Sequence, residues 1–391
     1  MRLSVVHLHR KPVSVVALLL FSGVAAACSS SRDSIPPMPT TTSSSAPAES
    51  TTGARPTVPS TAPTTTTALP RATKIALSAT FVSSRTGWAL EGDAANCGAP
   101  EPCRYAVAKT TDGGIAWATI ASLPMQLQDG RRIRFADADT GFVFDDKTIL
   151  QTHDGGAHWA RLALPFTGVQ DLEIASGTVY VVGGNTTSTS PGFGYHIWST
   201  PADRIEWAMD PLPVPVGAGP VPRQQLVFTH GVGWMVNLDR TVVGGARFES
   251  GHWDAWSPPC AKELGPVQLT ASSSTDVAAS CAEHEFGGVP TNAVYFSHDG
   301  GTTFARRSAP ASGYITSPNA GIAVIAGGAD AWRTSDQGLS WHQVVSGNDS
   351  EGDTVLDLGF TTSTQGFLIE GAGGMLMTRD AGATWKRVQL S

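Results

Sequence analysis

THDGGAHW, residues 152–159, is one of five copies of a single phrase, and its recurrence limits the fold more than any other feature of the chain. The others are TTDGGIAW (110–117), SHDGGTTF (297–304), TSDQGLSW (334–341) and TRDAGATW (378–385). Each has a hydroxyl two residues before the acid, a glycine two after it and an aromatic five after it. The acids are Asp112, Asp154, Asp299, Asp336 and Asp380. Asp112 and Asp154 lie 42 residues apart, Asp299 and Asp336 lie 37 apart, and Asp336 and Asp380 lie 44 apart. A fixed period of this size signals a repeat architecture. The gap of 145 residues between Asp154 and Asp299 leaves room for two worn copies. STPADRIEW, closed by Trp207, reads as one, and ESGHWDAW, with Gly251 in the acid's place and Trp256 closing it, as the other. The chain then holds seven units.

A second phrase precedes the boxes. FVSSRTGW from Phe81, FADADTGF from Phe135 and FTTSTQGF from Phe360 each place glycine six residues after phenylalanine, with an aromatic next. FTHGVGW from Phe228 is one residue shorter. Around these turns run short β-rich stretches such as VYVVG, AVYF, GIAVI and GFLIE. The spacing predicts four strands per unit. Seven such units over residues 72–391 predict an all-β, seven-bladed β-propeller.

The boxes resemble the Asp-box, or BNR, repeats of sialidases, sortilin-type receptors and xyloglucan-degrading enzymes. With the Phe-x5-Gly-aromatic phrase added, the chain is most similar to the photosystem II stability/assembly factor-like family. That resemblance implies a seven-bladed propeller and is silent on activity, because one fold carries many functions.

Each side chain of the box has a turn-building role. The acid is expected to accept backbone N–H groups two residues on, as in an Asx-turn. The glycine allows φ > 0, and the aromatic is expected to bury between sheets. The five acids therefore read as structural, and no catalytic residue is assigned. Six of the eleven tryptophans close a box; Trp253 has no duty in the repeat and is the candidate surface binder. The cluster GRRIRF places Arg131, Arg132 and Arg134 at the start of the second unit's first strand, where they could grip a carboxylate or phosphate. Ten histidines show no metal-ligand spacing, and nothing in the sequence calls for a cofactor.

The chain before residue 72 does not belong to the repeat. Residues 1–27 carry Arg2, Arg10 and Lys11 ahead of an apolar run and end on Ala25-Ala26-Ala27, the form of a signal peptide. The junction with Cys28 resembles a bacterial lipobox, with Ala25 in the place usually held by leucine. It implies cleavage before Cys28 and acylation of its thiol, at ~0.8 kcal/mol of membrane affinity per buried methylene. Residues 28–71 are Ser, Thr and Pro with almost nothing apolar, and are expected to form a disordered tether reaching roughly 130 Å when extended.

Without residues 1–27 the chain keeps 23 basic and 33 acidic side chains, a net charge of −10, which argues against nucleic-acid binding. Four cysteines remain. Proximity favours Cys97 with Cys103 and Cys260 with Cys281, although three pairings are open. An even number of cysteines in an exported chain fits an oxidising compartment. The expected protein is an extracytoplasmic lipoprotein on the cell membrane whose propeller scaffolds an envelope protein or complex. The alternative is a secreted sialidase-like glycoside hydrolase or carbohydrate-binding protein, with a glycan as ligand. That alternative needs three central arginines around a Tyr–Glu pair.

Overall fold

The computed structural model of the chain describes residues 74–93, 103–128, 130–185, 194–213, 223–239, 241–260, 267–283, 291–347, 354–371 and 373–390. The expected signal peptide, Cys28, the tether and Cys97 lie outside these residues.

The described strands form seven four-stranded antiparallel sheets, each built from four strands consecutive in sequence. They are blade I (Lys74–Ser122), blade II (Arg132–Arg161), blade III (Gly168–Asp210), blade IV (Arg223–Trp256), blade V (Val267–Ser308), blade VI (Tyr314–Val345) and blade VII (Val355–Val388). The first strand of every blade faces the axis. These are β1 (Lys74–Phe81), β5 (Arg132–Phe135), β9 (Gly168–Ala175), β13 (Arg223–Thr229), β17 (Val267–Ala271), β21 (Tyr314–Asn319) and β25 (Val355–Phe360), and each packs beside the next around the ring. The seven-bladed propeller expected from the repeat is the fold found.

The Phe-x5-Gly phrase is a cross-strand pair. Phe81 faces Gly87, Phe135 faces Gly141, and Phe360 faces Gly366 in register. Each ring lies flat on its glycine: a Cβ on Gly87 or Gly141 would come within 2.4 and 2.5 Å of ring carbons. Any side chain there would displace the phenylalanine from the core. The box tryptophan then meets that ring edge-on, as Trp159 meets Phe135 with centroids 6.1 Å apart and planes at 88°.

The box itself differs from a simple Asx-turn. Thr152 donates to Asp154 at 2.8 Å and accepts from the Gly156 N–H at 3.0 Å, while Asp154 accepts the N–H of His158, four residues on, at 2.9 Å. Thr334, Asp336, Gly338 and Ser340 repeat this arrangement. The acid thus reaches three or four residues along the loop rather than two, because both residues after it are left-handed. Gly155 and Gly156 have φ of 70° and 96°, and Gln337 and Gly338 have 57° and 80°. Stacked donors pull the acids down: Asp336, bonded by the Ser340 hydroxyl and N–H, and Asp299, bonded likewise by Thr303, sit at about 2.

The box also joins blades. The carbonyl after the acid accepts from the preceding blade: Gly155 from Trp88 Nε1 at 2.8 Å, Gly300 from Trp234 Nε1 at 3.1 Å, Gly113 from Arg379 Nη2 at 2.9 Å and Ala381 from Arg333 Nε at 2.8 Å. The N–H of the same residue bonds the first turn of its own blade, as Gly155 does to Asp139 at 2.8 Å. One loop therefore ties two strand pairs within a blade and the blade to its neighbour.

Blade IV departs from the expectation. ESGHWDAW holds no box: Ser250 and Gly251, with φ of 54° and 85°, make a two-residue turn of the kind that suits the twist of a hairpin. Shortening the loop moves the aromatic position. Trp253 fills it, edge-on to Phe228 at 5.9 Å and 80°, with its Nε1 on Asp210 at 3.3 Å. Trp253 is only 6% exposed, so it is a core residue and not the surface binder expected of it. Trp256 instead donates to Gly301 of the next blade at 2.8 Å.

Cys260 and Cys281 are disulfide-bonded with Cα atoms 6.0 Å apart, fastening the link between blades IV and V to the second strand of blade V. Cys103 is also disulfide-bonded, and its expected partner Cys97 lies outside the described residues.

Candidate functional site

The up-and-down course of each blade sorts its connections onto two faces. First-to-second and third-to-fourth connections share one face, which carries the boxes. Five of its third-to-fourth loops have the same seven-residue length, from Thr110 to Ala118 for example. The opposite face collects the other connections, and these vary widely. The second-to-third connection runs through 11 residues between Asp93 and Tyr105 but only one between Asp239 and Thr241. The strand ends that flank residues 94–104 and 186–193 both lie on that face. Variable loops on a rigid frame are where binding is usually placed.

At the axis the inner strands enclose a cavity of about 530 Å³. Its wall is polar because each inner strand alternates, one side chain facing the sheet core and the next the axis. On β5, Ile133 is fully buried in the sheet while Arg132 and Arg134 turn to the cavity. Arg131 does not join them. It crosses to blade I, where Nη1 donates to the Tyr105 hydroxyl at 2.7 Å and the guanidinium covers the ring at 5.4 Å. The three-arginine cluster expected from the sequence is therefore a pair plus a blade-to-blade contact.

The two cavity arginines are held differently. Arg134 Nε donates to Glu173 Oε1 on β9 at 2.9 Å, and its Nη1 to the Ile133 carbonyl at 3.0 Å. Arg132 reaches across the axis to blade VI, donating Nη2 to the Tyr314 hydroxyl at 3.2 Å. Burial disfavours both guanidinium charges, but facing carboxylates outweigh it, Glu173 for Arg134 and Asp357 for Arg132. Both arginines stay firmly charged.

The carboxylates respond in the opposite sense. Burial raises Asp171, and it pushes Glu173 up to about 7 despite Arg134, with Asp171 and Asp357 adding repulsion. The pair is thus good for the arginine and costly for the glutamate, as buried ion pairs often are. Because the folded protein binds this proton more tightly than the unfolded chain, Glu173 contributes most below about pH 4.5. That contribution falls as pH rises toward 7 and is flat above. Thermal melts at pH 5 and pH 8 should show a loss on the order of 1–3 kcal/mol at the higher pH, and Glu173→Gln should remove it. An unchanged pH slope in that variant would show that Glu173 does not titrate in this range.

Side chains on the wall also clasp adjacent blades. Asp171 accepts the Leu226 N–H at 2.8 Å, Gln225 accepts the Leu269 N–H at 2.6 Å, and Thr270 accepts the Ser317 N–H at 3.2 Å. At the closure, Asp357 of blade VII accepts the Ser78 hydroxyl at 2.8 Å and the Ala79 N–H at 3.3 Å in blade I. Ser78 Oγ in turn accepts the Ile133 N–H of blade II at 3.3 Å. No strand is exchanged between the described ends; this three-blade relay, the Ala76 N–H to Gly373 carbonyl bond and the Arg379 bond to Gly113 join blade VII to blade I.

Sequence reasoning missed Glu173, Asp171, Asp357 and Tyr314. A signal existed. Ser78, Arg132, Gln225 and Asp357 each stand three residues before the phenylalanine that opens the turn phrase, a recurrent polar position. Among the described residues no three His, Cys, Asp or Glu side chains gather as a metal ion would need.

No protein-family model and no curated protein matches the chain. Solved structures do. YCF48 bound to a D1 peptide superposes with a TM-score of 0.55 at 18% identity, over 80% of this chain and 95% of that one. YCF48 from Cyanidioschyzon merolae gives 0.55 at 16% identity, over 80% and 97%. The GH74 enzyme of Niastella koreensis gives 0.52 at 13% identity, over 80% of this chain and 59% of its own length. At such identities the likeness is one of fold.

Proposed function

We propose that the propeller is a protein-binding scaffold, held at the outer side of a cell membrane through Cys28, and that it binds through the face carrying the variable connections. The observation that carries this reading is the division of labour between the faces. The recurrent polar side chains of the box face are consumed by their own turns and by neighbouring blades. The irregular connections and the Arg132–Tyr314 mouth of the cavity gather on the other face. YCF48 binding a D1 peptide is support by analogy, since a propeller of the same fold takes a polypeptide. The Ala-Ala-Ala-Cys28 junction and the bonded Cys260–Cys281 pair support export.

One observation favours a second reading. Arg132, Arg134, Tyr314 and Glu173 meet at the cavity, residue types that a sialidase-like hydrolase would use. Against it, Arg131 is turned away, Glu173 is engaged by Arg134, and Tyr314 accepts from Arg132.

The test is cross-linking of the full chain in its native membrane, with mass spectrometry of what is captured and Cys28→Ala as control. The scaffold reading expects one dominant envelope protein, lost in the control. Capture at background level, together with release of sugar from sialylated or xyloglucan substrates that Glu173→Gln abolishes, would replace it with the hydrolase.

A further inference from the structure

We propose that the axial cavity binds a small zwitterion of the α-amino-acid class, its carboxylate held by Arg132 and its ammonium by the wall carboxylates of blades III and VII. The inference rests on the cavity alone and is independent of any protein partner.

Arg132 is the starting point. A guanidinium offers five donors in a fork suited to a carboxylate. Among the described residues Arg132 spends one of them, on a neutral phenol, with the Tyr314 ring 6.0 Å from its carbon. Arg134, two residues on, is already matched by a carboxylate at 2.9 Å. The cavity therefore holds one arginine with an ionic partner in contact and one without. Gln268 turns to the same space an amide with no partner among the described residues, able both to donate and to accept.

Charge selects the ligand. Arg132 and Arg134 face Asp171, Glu173 and Asp357, so the wall carries one net negative charge when all five are ionised. A simple carboxylate would add negative charge beside three acidic side chains, where like charges repel. A simple amine would balance the carboxylates but leave the fork of Arg132 unmatched. A zwitterion leaves the balance unchanged and gives each end an opposite charge. The cavity, at about 530 Å³, lies within the range of small-molecule sites. Tyr314 then acts as a placeholder that the ligand's carboxylate displaces from Arg132.

Calorimetric titration of the full chain with each of the twenty free α-amino acids tests this. At least one is expected to bind, while the amine lacking its carboxylate and the acid lacking its amino group each bind about tenfold more weakly or worse. Arg132→Gln should abolish binding, and Arg131→Gln, whose side chain lies outside the cavity wall, should leave it intact. Tyr314→Phe should tighten it on the order of fivefold, because the displaced hydrogen bond no longer competes. A merely structural Tyr314 would not give that gain. The proposal is overturned if no amino acid binds either the wild type or Tyr314→Phe, or if the binding found survives Arg132→Gln.

Discussion

Trp88→Ala is expected to cost about 3–5 kcal/mol, a large share of the roughly 5–15 kcal/mol that holds a typical domain together. Trp88 is fully buried, and its ring stacks on Phe135 of the next blade with centroids 3.7 Å apart and planes 3° from parallel. Its Nε1 is the donor to the Gly155 carbonyl, and Lys109 Nζ sits 4.8 Å above the ring. Truncation would therefore open a cavity between blades I and II and orphan a box carbonyl. Trp88→Phe should keep most of the packing and lose the hydrogen bond, a cost of about 1–2 kcal/mol. Urea midpoints of the three proteins measure the difference. A Trp88→Ala protein within about 1 kcal/mol of wild type would mean that the boxes do not couple neighbouring blades.

The second large effect is expected at the ring closure. Asp357→Ala removes the acceptor for Ser78 and Ala79, frees the group that positions Ile133 through Ser78, and takes a negative charge from beside Arg132. Leaving buried donors unpaired costs about 1–3 kcal/mol each, so a loss of about 2–4 kcal/mol is expected. Asp171→Ala breaks the equivalent clasp between blades III and IV. Hydrogen exchange separates the two cases: Asp357→Ala should expose β1 and β25 first, and Asp171→Ala should expose β9 and β13. If Asp357→Ala left the exchange of β1 and β25 unchanged, the Arg379 bond to Gly113, the Ala76–Gly373 pairing and the apolar contacts between blades VII and I would be closing the ring without it.

Much of this architecture was legible because its determinants are local. A box hydroxyl, its acid and its glycine bond one another within a few residues, so spacing alone reveals the turn, and the turns count the blades. Phe135 and Gly141 are likewise partners across a single hairpin. The cavity was not legible in the same way. Arg132 and Tyr314 are 182 residues apart, and Arg134 and Glu173 are 39 apart; they meet only because the ring closes. Arg131 and Arg132 are neighbours in sequence yet point to different blades, as adjacent residues at a strand's start do. Trp253 was misread for a related reason. Reducing a seven-residue loop to two shifts the aromatic position, and an alignment on Trp256 cannot show that.

The claim with most at stake is that this rigid frame binds through one face. Photo-activatable side chains placed in the full-length, membrane-held chain test it directly. Gln126 and Lys147 are exposed on connections of the variable face, and Ala157 and Leu339 are exposed on box loops. Irradiation followed by mass spectrometry should yield the same dominant partner from positions 126 and 147 and none from 157 and 339. The same partner captured from the box positions, or from all four alike, would contradict the assignment of binding to the variable face.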